Sequence, residues 1–246
     1  MHFTENAVSV LQGHWYHEPL RIPCDSMKTH SMRFELSALA AIIVLLNLPL
    51  LHSACAVDLI FLPDRVAAGE WWRVFTHWFV HVSWYHLLLD ASAFLMLYQG
   101  LIGRSVFARM GYVLVCGAGS VLASLWSAPI IQTRGLCGLS GIAHGLMAIA
   151  SLDQMTGPTD KAVRRAGAVT FIIVVTKSIV EAFTGRIVFE GLHFGQLGSP
   201  VAVCHAGGVL AGLGGWVIAQ LSRTNLASRA IPTRRGVMKF SSPAAA

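Results

Sequence analysis

A serine and a histidine in this 246-residue chain have neighbours that suit acyl-transfer chemistry. Ser140 lies in the segment Gly-Leu-Ser-Gly, and the flanking glycines let a substrate or another backbone approach the hydroxyl closely. His205 lies further along the chain, before a dense set of glycines. A serine hydroxyl becomes a nucleophile when a neighbouring base, often a histidine, accepts its proton. Taken alone, the serine segment also fits a simpler interpretation, in which small residues pack helices together.

A second group of polar residues lies within residues 70–90, an aromatic-rich stretch that ends in an apolar run. Ionisable groups at the edge of a membrane are costly unless they serve a functional site or a structural network. The tryptophans of this stretch fit the aromatic belt at a membrane interface. The polar residues are Arg73, His77, His81 and His86, and the tryptophans are Trp71, Trp72, Trp78 and Trp84.

The composition indicates an integral membrane protein with one domain of several helices. The chain is 54% apolar and 12% charged, whereas a soluble domain carries about a quarter charged residues. The net charge of +6 is spread between apolar runs, so it reflects membrane topology and not nucleic-acid binding. The five cysteines show no metal-type spacing and are expected to be isolated thiols.

Six apolar runs have about the length needed to cross a bilayer. The basic clusters between them alternate to one side, which predicts an all-α bundle of six transmembrane helices with both termini in the cytoplasm. The runs are about residues 34–51, 85–101, 110–126, 136–152, 166–183 and 201–221.

This topology divides the chain into three parts. Residues 1–33 form a polar N-terminal tail without a signal-peptide core, and Met27 or Met32 is an alternative start. Residues 34–221 form the membrane domain, and residues 222–246 form a basic cytoplasmic tail. The fourth and sixth runs both begin at the outer face, so Ser140 and His205 are expected at similar, shallow depth.

Three motifs in this order resemble the rhomboid family of intramembrane serine proteases, over about residues 34–221. They are Glu70-x-Trp72-Arg73-x-x-Thr76-x-x-Phe79-x-His81-x-x-x-x-His86-Leu87, Gly138-x-Ser140-Gly141 and His205-x-x-Gly208-x-x-x-Gly212. Within the family, the chain is most similar to the rhombosortases. The similar segments are Cys-Gly-Leu-Ser-Gly-x-x-His-Gly at 137–145, His-Leu-Leu-Leu-Asp at 86–90 and Gly-Ser-Pro-Val-Ala-Val at 198–203, and the departure is Cys204 where alanine is common.

The resemblance implies that Ser140 is the nucleophile and His205 the base. The two form a dyad, since no third carboxylate matches an orienting role. The implied oxyanion donors are the Ser140 N–H and His86. Asp90 replaces an asparagine of general rhomboids, and it either donates to the oxyanion when protonated or orients His86. Residues expected to support the site are Arg73, His81, Gly138, Gly141, His144, Gly208 and Gly212.

Lys177 and Glu181 are spaced for an i,i+4 pair on the fifth run. Two interpretations remain open for them: a pair that reaches towards the interface, or a polar gate that meets the substrate. The resemblance to rhombosortases is compatible with both residues.

Three functions follow as hypotheses. The first is an endopeptidase that cleaves a C-terminal Gly-Gly-type sorting tail from exported membrane-anchored proteins. The second is a general rhomboid protease that cuts other single-span proteins, and the third is a catalytically silent rhomboid-like protein that binds membrane clients. The expected partners are substrates with a C-terminal helix and the lipid bilayer, with no nucleic acid, cofactor or metal. The resemblance implies a bacterial inner membrane as the location.

Overall fold

A computed structural model describes residues 24–101, 103–188 and 201–230. Within these ranges the chain is helical, and the only strand-like feature is an isolated antiparallel bridge between Phe61 and Leu136. The helices are α1 (Cys24–Leu46), α2 (Pro63–Ala67), α3 (Arg73–Thr76), α4 (Trp84–Gln99), α5 (Val106–Ser127), α6 (Ile131–Arg134), α7 (Ser140–Thr156), α8 (Lys161–Thr184) and α9 (Val203–Ala230), with 3-10 turns at Leu48–His52, Val57–Leu59 and His77–Phe79.

Each of the six predicted runs overlaps one long helix, but several boundaries differ: α1 begins ten residues earlier and α9 ends nine residues later than predicted. Helix α7 begins four residues later than predicted, because Gly138, inside the predicted run, has a φ angle of +103°, which a helix does not accept. Helix α8 begins earlier, at Lys161, where the Asp160 carboxylate accepts a hydrogen bond from the Val163 N–H at 2.8 Å.

Four of the described helices are long and apolar enough to cross a membrane. They are Thr29–His52, Val106–Ser127, Lys161–Thr184 and Val203–Asn225, and the sharply bent pair Arg73–Phe79 and Trp84–Gln99 adds a fifth if it counts as one span. Large apolar side chains cover the outside of these helices, such as Trp126 at 93% and Phe183 at 89% exposure. Lipid accommodates such a surface, so the chain is a multi-pass integral membrane protein. The count of six spans and the cytoplasmic termini stay predictions.

Helix α7 lies at the centre of the bundle, packed against α4, α5, α8 and α9. Its 17 residues measure only about 25 Å at the rise of an α-helix, less than the ~30 Å thickness of a bilayer core. Glycines allow the close packing: a methyl group on Gly208 would collide with the Gly141 carbonyl, and one on Gly212 would lie 2.8 Å from the Gly145 carbonyl oxygen. The N-terminal end of α7 is therefore packed against α9.

The segment between α1 and α4 is held by buried polar side chains. Arg73, 4% exposed, donates to the carbonyls of Val57 and Ile60 at 2.8 and 2.9 Å and pairs with Glu70 at 2.6 Å. Trp71, Trp72 and Trp84 are exposed, as an interfacial belt requires. Trp78 is not part of such a belt, because it is buried against Gly117, where a side chain would collide with its ring.

Some predictions fall outside the described residues. They concern the N-terminal tail up to residue 23, the outer loop at residues 191–200 with the first half of the motif at 198–203, and the basic tail beyond residue 230.

Candidate active site

Ser140 and His205 come together at the start of two adjacent helices. Ser140 is the first residue of α7, and His205 is the third residue of α9. The His205 Nε2 atom lies 3.1 Å from the Ser140 Oγ atom, within the range for proton transfer between a nucleophile and its base. The Ser140 hydroxyl is partly exposed, whereas His205 is 6% exposed. The geometry places the pair at the N-terminal ends of both helices.

A carboxylate lies on the other side of the His205 ring. The Glu181 Oε2 atom on α8 is 2.6 Å from His205 Nδ1, and Glu181 is fully buried. The sequence resemblance implied no carboxylate at this position, whereas the structure places Glu181 within hydrogen-bond distance of the ring. Because a carboxylate accepts hydrogen bonds, it holds the hydrogen on Nδ1 and leaves the Nε2 lone pair facing the serine.

Lys177 and His144 complete this group of side chains. The Lys177 Nζ atom lies 2.7 Å and 2.9 Å from the two Glu181 carboxylate oxygens and 2.8 Å from His144 Nε2. The His144 Nδ1 atom lies 2.7 Å from the Ser140 carbonyl oxygen. An ammonium only donates and a carbonyl only accepts, so we assign to His144 the neutral tautomer with its hydrogen on Nδ1. Its ring stacks on His205 with centroids 4.0 Å apart.

The first interpretation of Lys177 and Glu181, a pair that reaches towards the interface, does not describe this arrangement. A pair that reaches towards the interface would leave Glu181 exposed, but Glu181 is buried and its Oε1 atom accepts a hydrogen bond from the Val188 N–H at 2.9 Å. The pair packs against the catalytic candidates from the side of α8. The Lys177 side chain keeps 27% of its surface exposed and lines the cavity above Ser140.

Asp90 supports the turn that precedes Ser140. Its Oδ2 atom accepts a hydrogen bond from the Leu139 N–H at 2.9 Å and lies 3.2 Å from His86 Nε2 and 3.6 Å from His81 Nε2. All three neighbours are donors or can be donors, which suits an ionised carboxylate. The geometry favours the orienting role for Asp90 over donation to an oxyanion.

Gly138 makes this approach possible. Its φ angle of +103° is strained for any residue with a side chain, and a methyl group there would lie 2.8 Å from Asp90 Oδ2 and 2.9 Å from His86 Nε2. Its N–H donates to the His77 carbonyl at 2.9 Å, so the histidine-rich stretch and the serine turn are directly joined. A larger residue would separate Asp90 and His86 from the nucleophile.

These side chains line one cavity of about 410 Å³. Ser140, His205, His86, Asp90, His144 and Lys177 contribute to its wall, together with Cys137 and Cys204. Within this wall the Ser140 Oγ atom lies 3.1 Å from the His205 Nε2 atom, which makes the serine a candidate nucleophile.

The remaining predicted supporting residues lie around this cavity or beneath it. His81 is buried below His86, and its backbone N–H donates to the Asn47 side-chain oxygen at 2.9 Å. Gly141 and Gly208 face each other between α7 and α9. Arg73 does not reach the cavity and holds the preceding loop instead.

One trio of potential metal ligands occurs in the described part of the chain: His144, Glu181 and His205. The Lys177 ammonium already lies between Glu181 and His144, where it satisfies the carboxylate and the Nε2 lone pair. A metal ion would have to displace this lysine. The donor set is therefore better described as a hydrogen-bonded group around His205.

Sequence reasoning missed the contact between Glu181 and His205. The i,i+4 spacing of Lys177 and Glu181 predicts that these two residues are neighbours, but spacing does not say which helix faces them. A carboxylate in an apolar run near the level of the histidine was the available signal, since a charge in such a run is costly without a partner.

Comparison with known protein families agrees with this geometry. A profile of the Rhomboid domain family matches residues 68–224, from the loop that contains Arg73 to the end of the described side chains of α9. The match covers more than half of the chain and includes Ser140, His205 and Glu181. The chain belongs to the rhomboid family of intramembrane serine proteases, which act on membrane protein substrates.

Proposed function

We propose that this protein is an intramembrane serine endopeptidase that cleaves the C-terminal Gly-Gly-type sorting tail of exported, membrane-anchored proteins. The observation that carries the catalytic part is the 3.1 Å contact between Ser140 Oγ and His205 Nε2 inside an open cavity. The support for the substrate is the rhombosortase-like sequence at residues 137–145 and 86–90.

The reaction begins when Ser140 Oγ attacks the scissile carbonyl while His205 Nε2 accepts the hydroxyl proton. His205 then returns this proton to the leaving amine, and an acyl-enzyme remains on Ser140. Water resolves the acyl-enzyme by hydrolysis, and an amine acceptor would resolve it by transfer. His144 stacks on the His205 ring and limits the positions the ring can take.

The oxyanion of the tetrahedral intermediate needs fixed donors, each worth about 3 kcal/mol. The Ser140 N–H is one, because the first N–H groups of an α-helix have no acceptor within the helix. His86 is the second, and its Nδ1 atom is buried without a partner among the described atoms. Since His86 Nε2 faces Asp90, donation to the oxyanion through Nδ1 requires hydrogens on both ring nitrogens.

Small glycines suit a scissile site in a membrane helix. They leave the backbone open to attack, and they weaken the helix that must unwind before its carbonyl reaches the serine. Because α7 is shorter than a full membrane span, we expect Ser140 at its start to lie within the membrane, so a substrate segment has to leave its own helix to meet it.

The test is co-expression with an exported reporter that ends in a Gly-Gly motif, a membrane helix and a basic cluster. A second reporter carries an unrelated single membrane helix. Wild type is compared with Ser140→Ala and His205→Ala by blot and by the mass of the released C-terminus. Ser151→Ala, on the same helix but eleven residues beyond the nucleophile, is the matched control.

We expect cleavage at the glycines by wild type and by the control, and none by the other two variants. The loss should be on the order of 10⁵–10⁶-fold, because nucleophile and base act as a unit. Cleavage of the unrelated reporter alone would assign the chain to the general rhomboid proteases. Failure of folded wild type to cut either reporter would assign it to silent, client-binding proteins.

A further inference from the structure

We propose that Glu181 is a third member of the catalytic group, a positioning residue that holds His205 in the tautomer and orientation needed to activate Ser140. This inference rests on the proposed serine-protease activity but not on the identity of the substrate. It extends the two-residue mechanism that the sequence resemblance implies.

The order of contacts is that of a nucleophile, a base and an orienting acid. Ser140 Oγ lies 3.1 Å from His205 Nε2, and His205 Nδ1 lies 2.6 Å from Glu181 Oε2. The three residues come from three helices, α7, α9 and α8, so no local spacing imposes their alignment. Serine, histidine and acid in this relation recur on unrelated folds, and geometry identifies them better than sequence position does.

Glu181 is held in place by donors on both oxygens. Oε1 accepts from the Val188 N–H at 2.9 Å and from Lys177 at 2.7 Å, while Oε2 accepts from His205 and from Lys177 at 2.9 Å. A fully buried carboxylate needs such compensation, because the cost of its desolvation is otherwise several kcal/mol. The Lys177 ammonium supplies the opposite charge, and the carboxylate remains fixed beside the imidazole.

These contacts also determine what a neutral replacement would do. In Glu181→Gln, Lys177 and Val188 both donate to the Oε1 position, which selects the amide oxygen there. The amide NH₂ then occupies the Oε2 position and donates to His205 Nδ1. That hydrogen bond stabilises the tautomer with its hydrogen on Nε2, which cannot accept the serine proton.

The experiment measures the rate at which a fluorophosphonate probe labels Ser140 in the purified full-length protein, in detergent, over a range of pH. The probe requires an activated serine but no particular peptide, so the result does not depend on the sorting-tail substrate. The variants are Glu181→Gln, Glu181→Asp and the control Ser178→Ala. Ser178 is buried on the same helix, and its hydroxyl has no partner among the described atoms.

We expect Glu181→Gln to lower the labelling rate by about 10²–10⁴-fold, as loss of the orienting acid does in other triads. On a cleaved reporter, kcat should fall while KM stays near the wild-type value. The acidic limb of the pH–rate profile should move, because that limb reports the protonation of the base. Glu181→Asp should recover part of the rate, and Ser178→Ala should match wild type.

A labelling rate for Glu181→Gln within threefold of wild type, with an unchanged pH profile, would overturn the proposal. If the unpaired Lys177 prevents folding of the single variant, Lys177→Met combined with Glu181→Gln removes both charges. This folded double variant should remain as slow as expected for Glu181→Gln. Absence of labelling in wild type would instead contradict the serine-protease function itself.

Discussion

The two ends of the helical bundle both contain charges that are buried or half-buried, but the charges have different partners. At the end where α7 begins, the carboxylates of Asp90 and Glu181 face His86 and His205, two histidines that line a cavity. Near the other end, Arg104 donates to both oxygens of Asp153 at 2.7 and 2.6 Å. Asp153 lies thirteen residues beyond Ser140, about 20 Å along α7.

A second arginine pair reinforces this opposite end. Arg109 near the start of α5 donates to Glu35 on α1 and to the Arg104 carbonyl, and Tyr98 at the end of α4 donates to Glu35 at 2.5 Å. Arginine keeps its charge at every working pH, whereas a histidine changes its protonation during a reaction. Charges at the arginine end therefore hold helices together, whereas charges at the histidine end face rings that can gain or lose a proton.

The largest effect on stability is expected for Glu35→Gln. Arg109 is 3% exposed in its side chain, and the change leaves its charge without a full partner. Breaking a buried pair on one side costs about 3–5 kcal/mol, so the midpoint of thermal unfolding in detergent should fall markedly. Activity of the folded fraction should stay at the wild-type level. A variant with normal stability but no cleavage would contradict the view that the arginine end serves stability and the histidine end serves activity.

Gly138→Ala should produce the opposite pattern at the histidine end. The positive φ angle adds about 1–3 kcal/mol of strain, and the new methyl group displaces Asp90 or His86. Displacement by about 1 Å can cost 10²-fold in rate, so cleavage of a reporter should fall by roughly 10–100-fold. Gly185→Ala, also at positive φ but in open space at the end of α8, is the matched control. Its cleavage rate should equal that of wild type.

Substitutions of Asp90 separate its hydrogen bond with the Leu139 N–H from the effect of its carboxylate charge on the neighbouring histidines. Asp90→Ala leaves the buried Leu139 N–H without its acceptor, which costs about 1–3 kcal/mol and should slow cleavage. In Asp90→Asn the amide oxygen can still accept from Leu139, so the loss of stability and rate should be smaller. Equal losses in both variants, measured by unfolding and by reporter cleavage, would mean that the carboxylate charge and not the Leu139 contact matters.

The smallest effect is expected for Trp216→Phe at the arginine end. Its indole N–H donates to Asp153 at 2.8 Å, and the phenyl ring keeps most of the apolar contacts. The midpoint of unfolding should decrease by an amount equivalent to about 0.5–1.5 kcal/mol, with reporter cleavage unchanged. A large loss of cleavage in this variant would indicate coupling between the two ends through α7.

The positions of the six long helices were predictable because long apolar runs have few alternatives in a bilayer. The start of α7 was not, since the backbone at Gly138 has a positive φ angle although the apolar run itself continues through this residue. The burial of Trp78 was not predictable either. Its place depends on Gly117 of α5, which comes from a different part of the chain.

The sequence by itself determined the membrane class of this protein and, through three motifs, its family and the candidates for its nucleophile and base. Those features depend on residue type and on order along the chain. The tertiary structure decided the partners of Asp90 and Glu181, because a carboxylate interacts strongly only with groups within a few ångströms. The packing of α8 beside α9 brings Glu181 to His205, and the left-handed turn at Gly138 brings Asp90 to the residue before Ser140.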